Sequence, residues 1–168
     1  MKHTILIGFK NAGKTVIGKG LAESLGRKFL DLDKEIEEKK GMSVREIVKT
    51  EGESAFRKLE SEVLRELLGG KDAAVLALGG GAAMAKENQE MLKGHTVILI
   101  SAPKEVLFER IMRGGRPAFF KEGESDRDAF ERIYKEREPV YEKLATVKVE
   151  NSGTVEDAIK LILKNLNS

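Results

Sequence analysis

Residues 8–15 read Gly8-Phe9-Lys10-Asn11-Ala12-Gly13-Lys14-Thr15 and satisfy the spacing G-x-x-x-x-G-K-[ST]. A short apolar run, Thr4 to Ile7, precedes them. Val16, Ile17, Leu21, Ala22 and Leu25 follow at helical spacing, with Gly26 where a C-cap belongs. A buried strand that stops at a glycine loop and restarts as a helix confines the chain to a few α/β arrangements. Glycines at both ends let the backbone turn tightly, so successive N–H groups point inward at an anion. The helix that follows adds its own free N–H donors and its dipole. Gly8, Asn11, Ala12, Gly13, Lys14, Thr15 and Val16 are thereby expected to bind a nucleotide. Lys14 would reach the β- and γ-phosphates, and the Thr15 hydroxyl would be a Mg²⁺ ligand. A chance match of this spacing arises in roughly one chain in a hundred or fewer, and here it also has the strand–loop–helix context.

The rest of the chain repeats the alternation. Lys28-Phe29-Leu30 is a second strand candidate that runs into Asp31-Leu32-Asp33. Ser43, with Glu46 three residues on, has the pattern of a capping box, and an amphipathic helix is expected from Glu53 to Leu68, stopped by Gly69-Gly70. Ala73 to Leu78 is a third strand ending at Gly79-Gly80-Gly81; Thr96 to Ile100 is a fourth, after which Pro103 starts a helix. Periodicity fails from Gly114 to Ser125, returns as a helix from Asp126 to Leu144, and leaves Thr146 to Val149 as a fifth strand before a last helix capped by Thr154. The alternation predicts an α/β domain with a mostly parallel sheet covered on both faces. Ligands in such sheets bind beyond the carboxyl ends of the strands, where Gly8, Asp31 and Gly79 fall.

Composition narrows the function. The chain has 168 residues, as expected for one domain, and 30 basic against 28 acidic side chains leave a net charge of +2. Near-balanced, interleaved charge with 5% aromatic residues argues against nucleic acid as a partner. No cysteine is present, which removes thiolate nucleophiles and cysteine-held metals. No stretch is long and apolar enough to span a membrane. A cytoplasmic monomer without nucleic-acid or membrane partners is expected.

The remaining motifs concern what accepts the phosphate. No base-reading or water-positioning set of a switch GTPase is legible, and the strand Thr96 to Ile100 ends in Ser101 rather than an acid. The second strand ends instead in Asp31-x-Asp33, and carboxylates two apart serve different ligands if the chain turns there. Arg57, Arg113, Arg116 and Arg137 fall in segments expected to flank the carboxyl edge of the sheet. Their planar, permanently charged forks suit carboxylate or phosphate, so an anionic acceptor fits.

At Asp31-Leu32-Asp33, Gly52-Glu53-x-x-Phe56-Arg57-x-x-Glu60, Leu78-Gly79-Gly80-Gly81-Ala82, Arg116-Pro117 and Arg137-x-Pro139-x-Tyr141 the chain resembles the shikimate kinases, in order and over nearly its whole length. The resemblance implies a three-layer αβα P-loop kinase fold on a five-stranded parallel sheet, filling residues 1–168. Within it the phosphate loop is 8–15, an acceptor-binding helical segment about 32–61 and a lid about 114–125. It implies transfer of the γ-phosphoryl of ATP to the 3-hydroxyl of shikimate, with Mg²⁺, on the route to chorismate and aromatic amino acids. Carried over to this chain, Lys14, Asp33 and Arg116 are the catalytic residues. Asp33 contacts the shikimate hydroxyls and acts as base; Arg57 and Arg137 clamp the carboxylate, with Glu60 orienting Arg57. Gly79, Gly80 and Gly81 bring backbone N–H groups to the ring. Asp31 joins Thr15 at Mg²⁺ through water, Arg116 reaches the phosphates, and Arg113 stacks on adenine.

The chain departs from that family's pattern twice. Asn11 stands where the loop usually has another glycine, and Arg116-Pro117-Ala118-Phe119 replaces the usual Arg-Pro-Leu-Leu. Two other readings stay open: a related kinase for another small anionic acceptor such as gluconate, and a non-catalytic ATP-binding member. His3 and His95 stand apart and are read as non-ligands. Met84, Met91 and Met112 are read as core, Tyr134 as packing, and 34–40 as a solvated face. Phe119 and Phe120 are either a hydrophobic latch or loop anchors.

Overall fold

The run Thr4–Ile7 forms β1, and its four residues are each at most 2% exposed. Successive strand side chains point to opposite faces, so both faces of the sheet are covered at its centre. The computed structural model describes residues 2–117 and 119–166. After β1 come α1 (Lys14–Leu25), β2 (Lys28–Asp31), α2 (Leu32–Lys40), α3 (Val44–Glu51), α4 (Glu53–Leu68), β3 (Ala74–Ala77) and a single 3-10 turn (Ala82–Met84). Then follow α5 (Lys86–Leu92), β4 (Thr96–Ser101), α6 (Lys104–Arg113), α7 (Asp126–Leu144), β5 (Val147–Glu150) and α8 (Val155–Leu166).

All strand pairs are parallel, in the order β2-β3-β1-β4-β5. From β1 the chain runs out to β2, returns through β3 and crosses to β4 on the other side of β1. That reversal opens a crevice at the carboxyl ends of the central strands. Helices α1 and α8 lie side by side against β2, β3 and β5, α7 lies over β4, and α4 carries α2, α3 and α5.

The expected five strands are present, with β3 trimmed at both ends and β5 shifted by one residue. Ser43 opens α3 with both bonds of its capping box. The mixed-charge run 34–40 belongs to α2, whose Leu32 and Ile36 are buried, so only part of it is a solvated face. The 3-10 turn and α5 have no counterpart in the sequence reading; α5 is seven residues long, too short for a helical period to show. Met84, Met91 and Met112 pack against the core. His3 is buried: Nδ1 accepts from the Ala74 N–H at 3.2 Å, Nε2 donates to the Leu68 carbonyl at 3.2 Å, and its N–H donates to His95 Nδ1 at 3.1 Å. A ring satisfied on both nitrogens is a structural group.

α1 approaches the sheet closely at Gly18, where a Cβ would stand 2.9 Å from Leu6 Cδ1 and nearer still to the Phe29 ring. Gly18→Val is expected to destabilise the fold by about 1–3 kcal/mol through overpacking, read as a lower urea midpoint. An unchanged midpoint would mean that α1 does not rest on β1 and β2 at this distance.

Candidate active site

Among the described residues, seven of the eight α-helices carry Asp or Glu in the first turn, and α1 carries none. Its N-cap is Gly13 at φ 107°, with no side-chain cap. The first-turn N–H groups therefore remain free and the positive end of the helix is not neutralised, as an anion site needs. Lys14 Nζ lies within the loop, donating to the carbonyls of Gly8 at 2.9 Å and Phe9 at 2.7 Å. Burial lowers its pKa to about 8, against the pull of Asp33 and Asp31. The Thr15 hydroxyl donates to Asp31 Oδ2 at 3.0 Å. The other Asp31 oxygen caps α2, accepting the N–H groups of Asp33 and Lys34. Asn151, just past β5, braces the loop by donating to the Ala12 carbonyl at 2.9 Å.

Because α2 begins directly after Asp31, the chain turns between the two carboxylates and sends Asp33 to a different neighbour. Burial, then the nearby Asp31 charge, pushes the Asp33 carboxyl above its ordinary pKa, opposed by Lys14. The three glycines after β3 each lie under one charged side chain. A Cβ on Gly79 would stand 2.6 Å from Asp33 Oδ1, one on Gly80 3.2 Å from Arg137 Nη1, and one on Gly81 2.7 Å from Arg57 Cζ. The triplet is thus what lets a carboxylate and two guanidiniums converge over one strand end. Arg57 Nη1 donates to Glu60 Oε1 at 2.8 Å. Glu60 is 1% exposed, and burial raises its pKa even as Arg57 holds it down.

Arg137, itself buried, comes from α7 together with Tyr134 and Tyr141 at offsets of three and four residues, which share a helix face. Phe9 of the phosphate loop stacks on Tyr134 at 5.0 Å between ring centroids and meets Tyr141 edge-on at 5.1 Å. The Tyr141 hydroxyl donates to the Gly80 carbonyl. One face of α7 therefore holds both the phosphate loop and the glycine triplet. Phe9 was invisible as a site residue in the sequence, since that motif position accepts any residue.

In the segment 114–125 Arg116 is tied internally. It pairs with Asp126 and donates to the carbonyls of Lys121 at 2.7 Å and Glu124 at 3.0 Å. Phe120 is buried and anchors the segment, with Arg116 Cζ 5.5 Å from its ring; Phe119 lines the cleft, with Arg137 Cζ 5.0 Å from its ring. The two phenylalanines thus divide the roles that the sequence left open. Ala118 lies outside the described residues.

Asn11, Lys14, Thr15, Asp31, Asp33, Arg57, Gly79, Gly80, Gly81, Arg116 and Arg137 all line a single cleft of about 460 Å³. Gly8, Ala12 and Gly13 shape the loop behind it. Val16 is 59% exposed and offers only its backbone. Arg113 does not line the cleft; it is exposed, with Glu109 4.0 Å away. The α6 arginine in contact with the loop is Arg110, whose carbonyl accepts from Asn11 at 2.9 Å and whose Nη2 donates to the carbonyl of Asn151, the residue bracing the loop, at 3.5 Å. Seven basic and four acidic residues line the cleft, a local excess that the nearly neutral chain does not have overall. The cleft can hold a phosphate chain at one end and a second anion at the other, with the half-buried Asp33 carboxylate between them.

The shikimate kinase family model matches residues 10–167. A shikimate kinase from Thermus thermophilus is 41% identical over 96% of this chain and 88% of its own length. The bifunctional shikimate kinase/3-dehydroquinate synthase of Thermotoga maritima is 35% identical over 96% of this chain, which spans only 32% of that longer protein. The solved shikimate kinase from Acinetobacter baumannii, in complex with shikimate, superposes with a TM-score of 0.90 at 38% identity, over 99% of this chain and 93% of that one. The chain belongs to the shikimate kinase family and has its P-loop kinase fold.

Proposed function

We propose that the protein transfers the γ-phosphoryl of ATP to the 3-hydroxyl of shikimate, giving shikimate 3-phosphate and ADP for aromatic amino acid biosynthesis. The observation that carries this reading is the convergence of Arg57, Arg137 and Asp33 over the glycine triplet, across one cleft from the uncapped N-terminus of α1. Family membership and the shikimate-bound relative support the choice of acceptor. We take the working unit to be a monomer. No helix among the described residues is long and apolar enough to cross a membrane, and the reading places the enzyme in the cytoplasm.

Phosphoryl transfer goes through a loose transition state, which leaves the protein mainly positioning and charge neutralisation to supply. Phosphate oxygens take over the donors that Lys14 now gives to Gly8 and Phe9, and the α1 N–H groups bind the rest of the chain of phosphates. Arg57 and Arg137 fix the acceptor carboxylate, and Glu60 holds Arg57 in place. Asp33, basic enough through burial, takes the hydroxyl proton. Arg116 turns to the phosphates once the contacts within 114–125 release it, and that segment serves as the lid over the reaction. Thr15 and Asp31 put two oxygen ligands side by side, a hard donor set that fits Mg²⁺ held otherwise by phosphate and water. Mg²⁺ bound there would neutralise charge on the β- and γ-phosphates.

The decisive assay is ADP release by the purified protein with Mg-ATP and either shikimate or gluconate. Shikimate is expected to drive turnover and gluconate not; shikimate-independent or gluconate-driven release would overturn the reading. Lys14→Ala and Asp33→Asn should each cut kcat by about 100-fold or more with an unchanged melting temperature. Activity at the wild-type level in either would remove that residue from the mechanism.

A methyl group at residue 81 displaces the Arg57 guanidinium and not the phosphate loop. Gly81→Ala is therefore expected to raise the shikimate KM about tenfold or more, the loss of a charged hydrogen bond, while the KM for Mg-ATP stays put. Equal changes in both constants would show that the triplet is only structural.

The pH profile follows from the two shifted groups. Lys14 must be charged, and its lowered pKa means that the charge is lost as pH rises through about 8. Asp33 must be ionised, and its raised pKa moves the acid limb above the ordinary carboxylate range. The free-enzyme parameter kcat/KM for Mg-ATP is expected to decline above pH 8; a level profile up to pH 10 would contradict the role of Lys14.

A further inference from the structure

Asn11 has φ 61°, the one non-glycine residue at positive φ among the described residues. Glycine takes that conformation without cost, so what asparagine adds at this position is its side chain. That side chain leaves the phosphate loop altogether: Asn11 Nδ2 donates to the Arg110 carbonyl at 2.9 Å, in the last turn of α6. The last four carbonyls of a helix lack an intrahelical donor. The N–H that would continue the ladder to Arg110, that of Gly114, instead donates to Ile111 at 3.2 Å, and the N–H of Gly115 donates to Met112 at 3.0 Å. Asn11 thus caps α6 from outside, immediately before the segment 114–117 that leads to Arg116.

The contact belongs to a closed ring. Arg110 Nη2 donates to the Asn151 carbonyl at 3.5 Å, Asn151 Nδ2 donates to the Ala12 carbonyl at 2.9 Å, and the peptide bond between Asn11 and Ala12 closes the circuit. Asn151 is in turn fixed to β4 by its N–H, 2.7 Å from the Ser101 carbonyl. We propose that Asn11 is a positioning residue, tying the lid-bearing end of α6 to the phosphate loop so that a nucleotide seated in the loop also orders the root of the lid. This rests on the nucleotide reading given above.

Hydrogen–deuterium exchange of the full chain, with and without Mg-ADP, tests it in wild type, Asn11→Gly and Asn11→Asp. Glycine keeps the backbone geometry and removes the donor; aspartate keeps the size but presents only acceptors to a carbonyl. In wild type, Mg-ADP should slow exchange over both 8–17 and 107–117. In both variants protection over 8–17 should persist, while that over 107–117 falls by about threefold or more, the loss of one hydrogen bond. A passive surface contact would leave this transmitted protection alone, and unchanged protection over 107–117 in both variants would overturn the proposal. A wild type without protection at 8–17 would instead strike the nucleotide reading itself.

Discussion

Everything at the carboxyl edge of the sheet depends on how closely charged groups can be brought to the backbone after β3. Asp33, Arg137 and Arg57 each occupy the space that a side chain at 79, 80 or 81 would fill. Like and unlike charges held this close, and partly out of water, interact far more strongly than on a surface. The shifted pKa values of Lys14, Asp33 and Glu60 come first from burial; the opposite charges nearby resist the shift at Lys14 and Glu60, and Asp31 adds to it at Asp33. A family that replaced the triplet with larger residues could keep the fold and lose the convergence.

The two halves of the cleft are also held at a fixed separation. Phe9 and the Gly80 carbonyl are both seated on α7, through Tyr134 and Tyr141, in an aromatic layer beneath the loop. Arg137 lies between those tyrosines, so the guanidinium proposed to address the acceptor is carried by the element that grips the phosphate loop. Reacting groups gain most from being held in place beforehand, and this layer supplies that rigidity with ordinary packing.

The central strands β1, β3 and β4 were legible because buried parallel strands read as bare apolar runs, each with a glycine within two residues of one end; the edge strands β2 and β5 carry charged residues and show less of that pattern. α5 was not legible, since seven residues carry fewer than two helical turns of pattern. Within the cleft, residues fixed by local motifs fell together as expected: Lys14 and Thr15 from the loop, Asp31 and Asp33 from a strand end, Arg57 with Glu60 one turn on. The arginines of α6 could not be sorted the same way. Arg110 and Arg113 lie on one helix three residues apart, and only the packing of that helix decides that Arg110 is in contact with the loop. Likewise nothing in the sequence shows that Arg116 is engaged by the aperiodic turns of its own segment, or that Asn151 meets the loop and Asn11 reaches out of it to α6, contacts that join residues far apart in the chain.

The missing acid in the first turn of α1 carries a cost elsewhere. Negative charge at that end is the common device for steadying a helix, and a carboxylate there would repel the very anion the site receives. α1 also contains Gly18 and Gly20, each a poor helix former. At Gly20 a Cβ would stand 2.5 Å from Ile159 Cδ1 of α8, as at Gly18 it would crowd Leu6 and Phe29. The helix that presents the anion site is therefore intrinsically weak and borrows its order from neighbours on two sides. Its order depends on the sheet and α8 being packed around it, which ties nucleotide affinity to the integrity of the domain on both sides of α1.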